Sequence, residues 1–355
     1  MSTIKLIDPI TDPRWDKFVE SHPFGWICHL SGWKQVLEKS FKHMKGYYFA
    51  RMDNLGKNIE AAFPIFEVRS WLTGRRLVSI PFASLSDPLV SSREDMGEFL
   101  EATIKLSQEL KSSYIEIRAL ASPSFIHDDR FGKSDFYKHH YLLLSTDPEN
   151  LRKKFHRTCV RQRITRAEKS DIHLKIGKKE GDLKQYHSLH TITRKRLGLP
   201  SQPYIFFKNL WDEFYPSNML SLLLAEENGN AISGIILFKF KDRVSVEFAA
   251  SDEKFRDMSP NHYLFWEAIK LASAEEYKIF DFGRTSPLNK SLMDFKMRWG
   301  TEVVDLPQFF YPKEICLQIS KMEESGRYKL AKYLTAKAPD FTQQLIGKFF
   351  YRHLG

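Results

Sequence analysis

Apolar residues recur at helical spacing near the amino terminus and, after it, in alternation or in short unbroken runs. Leu30, Trp33, Val36 and Leu37 share one helical face and predict a helix over Leu30–Ser40, preceded by a shorter one over Arg14–Ser21. Gly46–Met52, Ile59–Arg69 and Arg76–Pro81 read as strands, the first two joined by the turn Asp53-Asn54-Leu55-Gly56. A helix over Glu94–Lys111 and a strand over Tyr114–Arg118 follow, then a polar, irregular stretch Ser122–Lys138 and a short strand Tyr141–Leu144. Past the break at Asp147-Pro148, Leu151–Ser170 predicts a helix dense in lysine and arginine. The strand Ile172–Ile176 and helices over Asp182–Arg196 and Tyr204–Phe214 come next. Leu220–Glu226, Ala231–Lys239 and Arg243–Ala249 form a strand meander. Pro260–Glu276 reads as a helix with Ser259 as its cap and Pro260 in its first turn. A buried strand, Lys278–Phe282, stops at Gly283, a short helix-like segment carries Phe295 and Lys296, and Thr301–Tyr311 is a last strand before a helical tail.

The same order of elements occurs twice. The hairpin at Gly56-Lys57-Asn58-Ile59 resembles the one at Gly229-Asn230-Ala231-Ile232, and in each half a helix leads into a strand with an acid at the same place. Those strands are Tyr114-Ile115-Glu116-Ile117 and Ile279-Phe280-Asp281-Phe282. An ordered series of helix, antiparallel strands, helix and strand implies a repeat of domain size. The predicted class is α/β (α+β), with mixed sheets flanked by helices in two tandem domains. Domain limits of 1–147 and 148–312 are expected, with a helical tail over 313–355.

Composition narrows the chemistry. With 355 residues, 42% of them hydrophobic, and 28 phenylalanines, the chain can bury two sizeable cores. Three cysteines, Cys28, Cys159 and Cys316, lie far apart without a CxxC, which predicts a reducing compartment and no structural zinc. His127-Asp128-Asp129 and His139-His140 lack ligand spacing and read as surface loops, so no metal is expected. No signal-peptide pattern opens the chain and no run approaches the roughly 18 apolar residues of a membrane span, so a cytoplasmic protein is expected. The net charge of +10 points to an anionic partner: a phosphate-bearing ligand, RNA or an acidic membrane surface.

Asp281 is the odd residue, because an acid inside an apolar strand must be paired or face a cleft. It is either an acid that accepts a proton from an attacking amine or a structural group that caps the next turn. The second is favoured by Glu116 in the other half. The loop Ser251–Asn261 leads into a helix amino terminus, a place that favours phosphate. It contains no glycine. Arg161, Arg163 and Arg166 of the basic helix either face solvent or meet a phosphate-bearing substrate.

In this order, several short motifs resemble the FemAB family of tandem GNAT-like (acyl-CoA N-acyltransferase-like) proteins, best known as peptidoglycan interpeptide-bridge aminoacyltransferases. They are Ser31-Gly32-Trp33, Phe248-Ala249-Ala250-Ser251, the loop Phe255–Asn261, Phe280-Asp281-Phe282-Gly283, and Phe295-Lys296 with Trp299-Gly300. The likeness runs from Trp15 to Tyr311. Pro64–Phe82 and the Trp299-Gly300 ending also resemble a branch associated with exopolysaccharide and exosortase genes.

The resemblance implies an acyltransferase that moves an acyl or aminoacyl group from a thioester or tRNA ester to an amine or hydroxyl of a cell-envelope or polysaccharide precursor. Lys296 and Phe295 would line the reacting centre, with Asp281 beside them and Arg284 facing the same cleft. Ser251, Asn261 and Tyr263 would lie near the donor. No tightly bound cofactor is implied; acyl-coenzyme A or aminoacyl-tRNA would be a co-substrate. The family's phosphate-holding positions fall at Leu37 and Gln202, neither of which pairs with phosphate. Lys34, next to Trp33, Lys39 and Arg194 are the available substitutes. The arm that some members use for tRNA is absent. The tail, with Leu330, Tyr333, Leu334, Leu345, Ile346, Phe349 and Phe350 among basic residues, either packs on the second domain or touches an anionic membrane. A binding or scaffold protein on a polysaccharide export or cell-wall pathway is the non-catalytic alternative, and RNA binding through the basic helix is a third.

Overall fold

The structure is a computed structural model that describes residues 4–72, 74–317, 335–337, 347 and 349–353. The tail positions Leu330, Tyr333, Leu334, Leu345 and Ile346 lie outside them. Among the described residues two compact units are formed: one from 4–72, 74–137, 305–317 and 349–353, the other from 138–304, 335–337 and 347.

The first unit opens with β1 (Ile4–Ile7), α1 (Trp15–Ser21) and α2 (Ser31–Ser40), followed by β2 (Met44–Met52), β3 (Ile59–Ser70) and β4 (Gly74–Val78). Helix α3 (Arg93–Glu109) starts at Ser92, whose hydroxyl accepts the Asp95 N–H, and it leads to β5 (Ile115–Arg118). Strands β1 to β4 are antiparallel neighbours, whereas β4 runs parallel to β5. Residues Gln308–Tyr311 pair antiparallel with the other edge of β5. The core is built on Phe63, Ile65, Met96, Phe99, Ile115 and Ile117.

In the second unit, the Lys138–Leu143 part of β6 (Gly132–Leu143) pairs antiparallel with a later strand, β11. Next come α4 (Pro148–Lys154), a π-type turn over Arg157–Arg161, α5 (Gln162–Glu168), β7 (His173–Ile176), α6 (Glu180–Arg196) and α7 (Tyr204–Phe214). The meander β8 (Leu220–Glu227), β9 (Asn230–Phe240) and β10 (Arg243–Ser251) leads through α8 (Pro260–Ala274) to β11 (Ile279–Thr285). Helix α9 (Lys290–Met297) and β12 (Glu302–Tyr311) complete the order. Strands β7 to β10 are antiparallel neighbours, and β10 runs parallel to β11. Each unit thus has a meander, a helix and one parallel pair, as the repeat predicts. The acid of each parallel strand is paired: Glu116 Oε1 accepts from Arg118 Nε at 2.9 Å and Gln308 Nε2 at 2.8 Å.

Four local expectations need correction. The basic stretch is not one helix. It breaks at Phe155-His156, because Phe155 turns inward to pack edge-on against Trp266 and Trp299, and His156 Nδ1 caps the next turn at the Cys159 N–H. His139 and His140 are fully buried in β6 rather than on a loop. Successive residues of a strand face opposite sides, so one histidine reaches Asp281 and the other Met293 and Thr301. Strand β11 does not stop at Gly283. The glycine sits at a bulge (φ +73°), a conformation costly for any residue with a Cβ, and pairing resumes through Thr285. Ser259 does not cap α8 with its side chain.

Asp281 is central to the second unit. Its carboxylate accepts from Arg243 Nη1 at 2.6 Å, His139 Nε2 at 3.0 Å and the Gly283 N–H at 2.6 Å. Arg243 and His139 come from the strands on either side, each one diagonal step from the residue opposite Asp281. Burial pushes this carboxyl up, but His139, Arg243 and the Gly283 amide outweigh it and hold the pKa at about 2. Removing one partner of a buried ion pair costs about 3–5 kcal/mol. Asp281→Ala is therefore expected to lower stability by about that amount in urea denaturation; a change below about 1 kcal/mol would show that the cluster is not structural.

Candidate functional site

Beyond Ser245 and Asp281 the parallel strands β10 and β11 share no further pairs. Strand β10 has its own bulge between Val246 and Phe248 and stays with β9, while β11 stays with β6. The inner edge of β11 is therefore left with carbonyls that no strand satisfies. Lys296 fills that role from α9. It is 6% exposed, and its Nζ donates to the carbonyls of Gly283 at 2.9 Å and Arg284 at 3.1 Å. Its third N–H has no partner among the described residues. Burial pulls the ammonium down to about 8, although Asp281 and Glu247 favour its charge. Glu247, in the β10 bulge, is pushed up to about 7 by burial and by Asp281, while its hydrogen bond from Ser245 Oγ at 2.9 Å works the other way. A carboxyl near 7 and an ammonium near 8 can each take up or release a proton close to neutral pH. His140 is driven to about 4, chiefly by burial and next by Lys296, and stays neutral.

Phe295 precedes Lys296 and, at about 100° per residue round a helix, points elsewhere. It lines a cavity of about 470 Å³ with Ser251, Ser259, Asn261 and His262. Asn261 holds this wall together: its Nδ2 donates to Ser251 Oγ at 3.2 Å and its Oδ1 accepts from Ser233 Oγ at 2.7 Å. The His262 ring packs against both Phe295 and Trp299, centroids 5.4 and 6.0 Å away; burial, with Arg163, lowers its pKa to about 4. The cavity opens on the start of α8, whose first N–H groups have no helical acceptor. Ser259 stands there with φ +60°, 3% exposed, its hydroxyl without a partner among the described residues. Four arginines join this wall. Arg196 approaches Glu253 at 3.9 Å and Arg298 approaches Asp294 at 3.4 Å, but among the described residues Arg163 and Arg256 meet no carboxylate. A helix amino terminus and two guanidiniums that meet no carboxylate among the described residues give this wall donors that a phosphate could accept from.

Among the expected site residues, Ser251, Asn261 and Phe295 therefore share one cavity. Lys296 and Asp281 belong to the polar cluster where β10 and β11 part, and neither lines the cavity. Tyr263 packs half-buried against the core. Arg284 is exposed on β11. Gln202 is buried, its Oε1 accepting from His190 Nε2 at 2.7 Å. In the first unit, Trp33 is 1% exposed, and Lys34 Nζ pairs with Glu38 at 2.9 Å. Of the arginines expected at phosphate, Arg163 lines the cavity, whereas Arg161 lines a separate shallow depression. Glu247, His262, Arg196, Arg256 and Arg298 were not singled out in the sequence. Glu247 occupies the polar phase of the alternation Val244, Val246, Phe248 and reads as a surface residue, because the bulge that redirects it leaves no local signal.

Residues 154–297 match the family described as acetyltransferase (GNAT) domain. A lipid II:glycine glycyltransferase of Staphylococcus haemolyticus (strain JCSC1435) is 22% identical, over 82% of this chain and 89% of its own. The crystal structure of FemX superposes with a TM-score of 0.69 at 17% identity, over 87% of this chain and 97% of that one. A tandem GNAT protein from the clavulanic acid biosynthesis pathway gives 0.55 at 11% identity, over 87% and 98%.

Arg163→Ala and Arg256→Ala are each expected to weaken pyrophosphate binding about tenfold in titration calorimetry, the worth of one charge-assisted hydrogen bond. Unchanged affinity in both variants would remove the cavity as an anion site.

Proposed function

Because this chain is a FemAB-like protein of tandem GNAT architecture, we propose that it is an acyltransferase acting on an amine of a lipid-linked cell-envelope precursor. The staphylococcal relative is named for glycyl transfer to lipid II, which supports that acceptor class. The observation that carries the reading is the buried Lys296 ammonium, held by the Gly283 and Arg284 carbonyls within electrostatic reach of Glu247 where β10 and β11 separate, beside an arginine-lined cavity. The cavity suits the phosphate-bearing part of an activated donor, either acyl-coenzyme A or aminoacyl-tRNA. Phe295 and His262 would form the wall that guides the acyl group inward.

In this reading the amine nitrogen attacks the donor carbonyl, forming a C–N bond and a tetrahedral oxyanion. Glu247 accepts the proton that the nitrogen loses. The Lys296 ammonium offsets the negative charge on the oxygen, an interaction made only in the transition state. Collapse breaks the C–O or C–S bond, and the leaving oxygen or sulfur takes the proton back from Glu247. Asp281, committed to three partners, positions the strands rather than moving protons. A peripheral contact of the tail with an anionic membrane is a separate proposal that the transfer step does not require.

The sign of the pH dependence follows from the two groups. Glu247 must be deprotonated, so the rate rises with pH through about 7. Lys296 must be charged, so it falls through about 8. A narrow bell between those values is expected for acyl transfer followed by chromatography of the product. Glu247→Gln should lower turnover by about 10²–10⁴-fold and remove the acid limb. Lys296→Ala should cost about 10²–10³-fold. Full activity in both variants would contradict the assignment.

A further inference from the structure

The tip of the β3–β4 hairpin carries Trp71 and Leu72, 78% and 62% exposed. A tryptophan left so far in water forgoes one of the largest burial gains any side chain offers. The base of the tip is fixed. His353 Nδ1 is 2.9 Å from the buried Ser70 Oγ, its carbonyl accepts from Arg76 Nη2 at 2.9 Å, and its ring meets Trp71 edge-on at 5.2 Å. Phe349, 47% exposed, extends the patch, its ring 6.4 Å from Trp71.

The exposed charged residues that flank the tip on its two strands are basic. Arg69 and Arg75 lie directly opposite each other in the strand register, both exposed, an arrangement that costs stability. The acid that reaches Arg75 is Glu67, buried and 3.8 Å away. Arg352, close to Phe349 in sequence, is exposed as well. From Val68 to Ser86 the chain has no acidic residue.

Three exposed side chains are far too small a patch for a stable protein interface, which needs about 800 Å² on each partner. They suit a bilayer surface. There, a shallow apolar insertion and a few cations against anionic headgroups add up, and tryptophan favours the interface. No helix among the described residues is long and apolar enough to cross a membrane, so such contact would be peripheral. We propose that this hairpin tip docks the protein on an anionic phospholipid bilayer. Trp71, Leu72 and Phe349 enter the headgroup layer, and Arg69, Arg75 and Arg352 meet lipid phosphates.

The surface stands on its own geometry and is tested without donor or acceptor, so its failure would leave the transferase reading intact. The full chain is sedimented with phosphatidylglycerol–phosphatidylcholine vesicles and with phosphatidylcholine alone. Retention is expected on the anionic vesicles only and should fall with added salt. The doubly changed Trp71→Ser, Leu72→Ser protein should partition about tenfold less or worse, and Arg69→Gln with Arg75→Gln should lose the salt dependence. Trp71→Phe should still bind, yet lose quenching of its fluorescence by brominated lipid. Equal retention on both vesicles, unchanged retention of the Trp71/Leu72 double variant, or unchanged quenching in Trp71→Phe would overturn the proposal.

Discussion

A single buried carboxylate holds the second unit in its working shape. Asp281 joins β6, β10 and β11 through His139, Arg243 and the Gly283 amide. Its charge is tolerable in the core because each oxygen is met by donors from fixed backbone positions. The same contacts stabilise the bulge at Gly283, and the bulge lets β11 depart from β10 without losing β6. Without that departure the carbonyls of Gly283 and Arg284 would be consumed by a strand, and Lys296 would have no reason to be buried.

Two environments then arise on adjoining residues of one short helix. Lys296 is drawn into the gap, where burial and two carboxylates compete over its proton. Phe295 faces the arginine-lined cavity at the start of α8. Asn289 sets where α9 begins, because its side chain accepts the Leu292 N–H. The spacing from that cap thus decides which residue faces which environment. The proposed chemistry depends on this division: an arginine-lined cavity with donors suited to a phosphate, and a polar cluster in which a carboxyl and an ammonium are tuned towards neutrality.

Much of this architecture was legible in the residues. Runs such as Ile59–Arg69 and Tyr204–Phe214 carry their periodicity openly and form the elements expected. The repeated acid gave the correspondence of Glu116 with Asp281, and both prove to be paired. What escaped was tertiary in origin. His139-His140 looks like a loop because burying two consecutive histidines requires a strand covered on both faces, and its partners Asp281 and Met293 lie far along the chain. The break at Phe155 depends on two distant tryptophans. Glu247 is inconspicuous until a bulge turns it. The family likeness points to Phe295 and Lys296 together, but the fold gives them separate surroundings.

The central claim is that the Lys296–Glu247 pair serves acyl transfer to an amine. The most direct test is the intact mass of an amine-bearing muropeptide precursor after incubation with the protein and either mixed aminoacyl-tRNA or acyl-coenzyme A. The account predicts that the precursor gains the mass of one acyl or aminoacyl group with one of the two donors. An unchanged mass with both, from protein that still binds pyrophosphate, would contradict it.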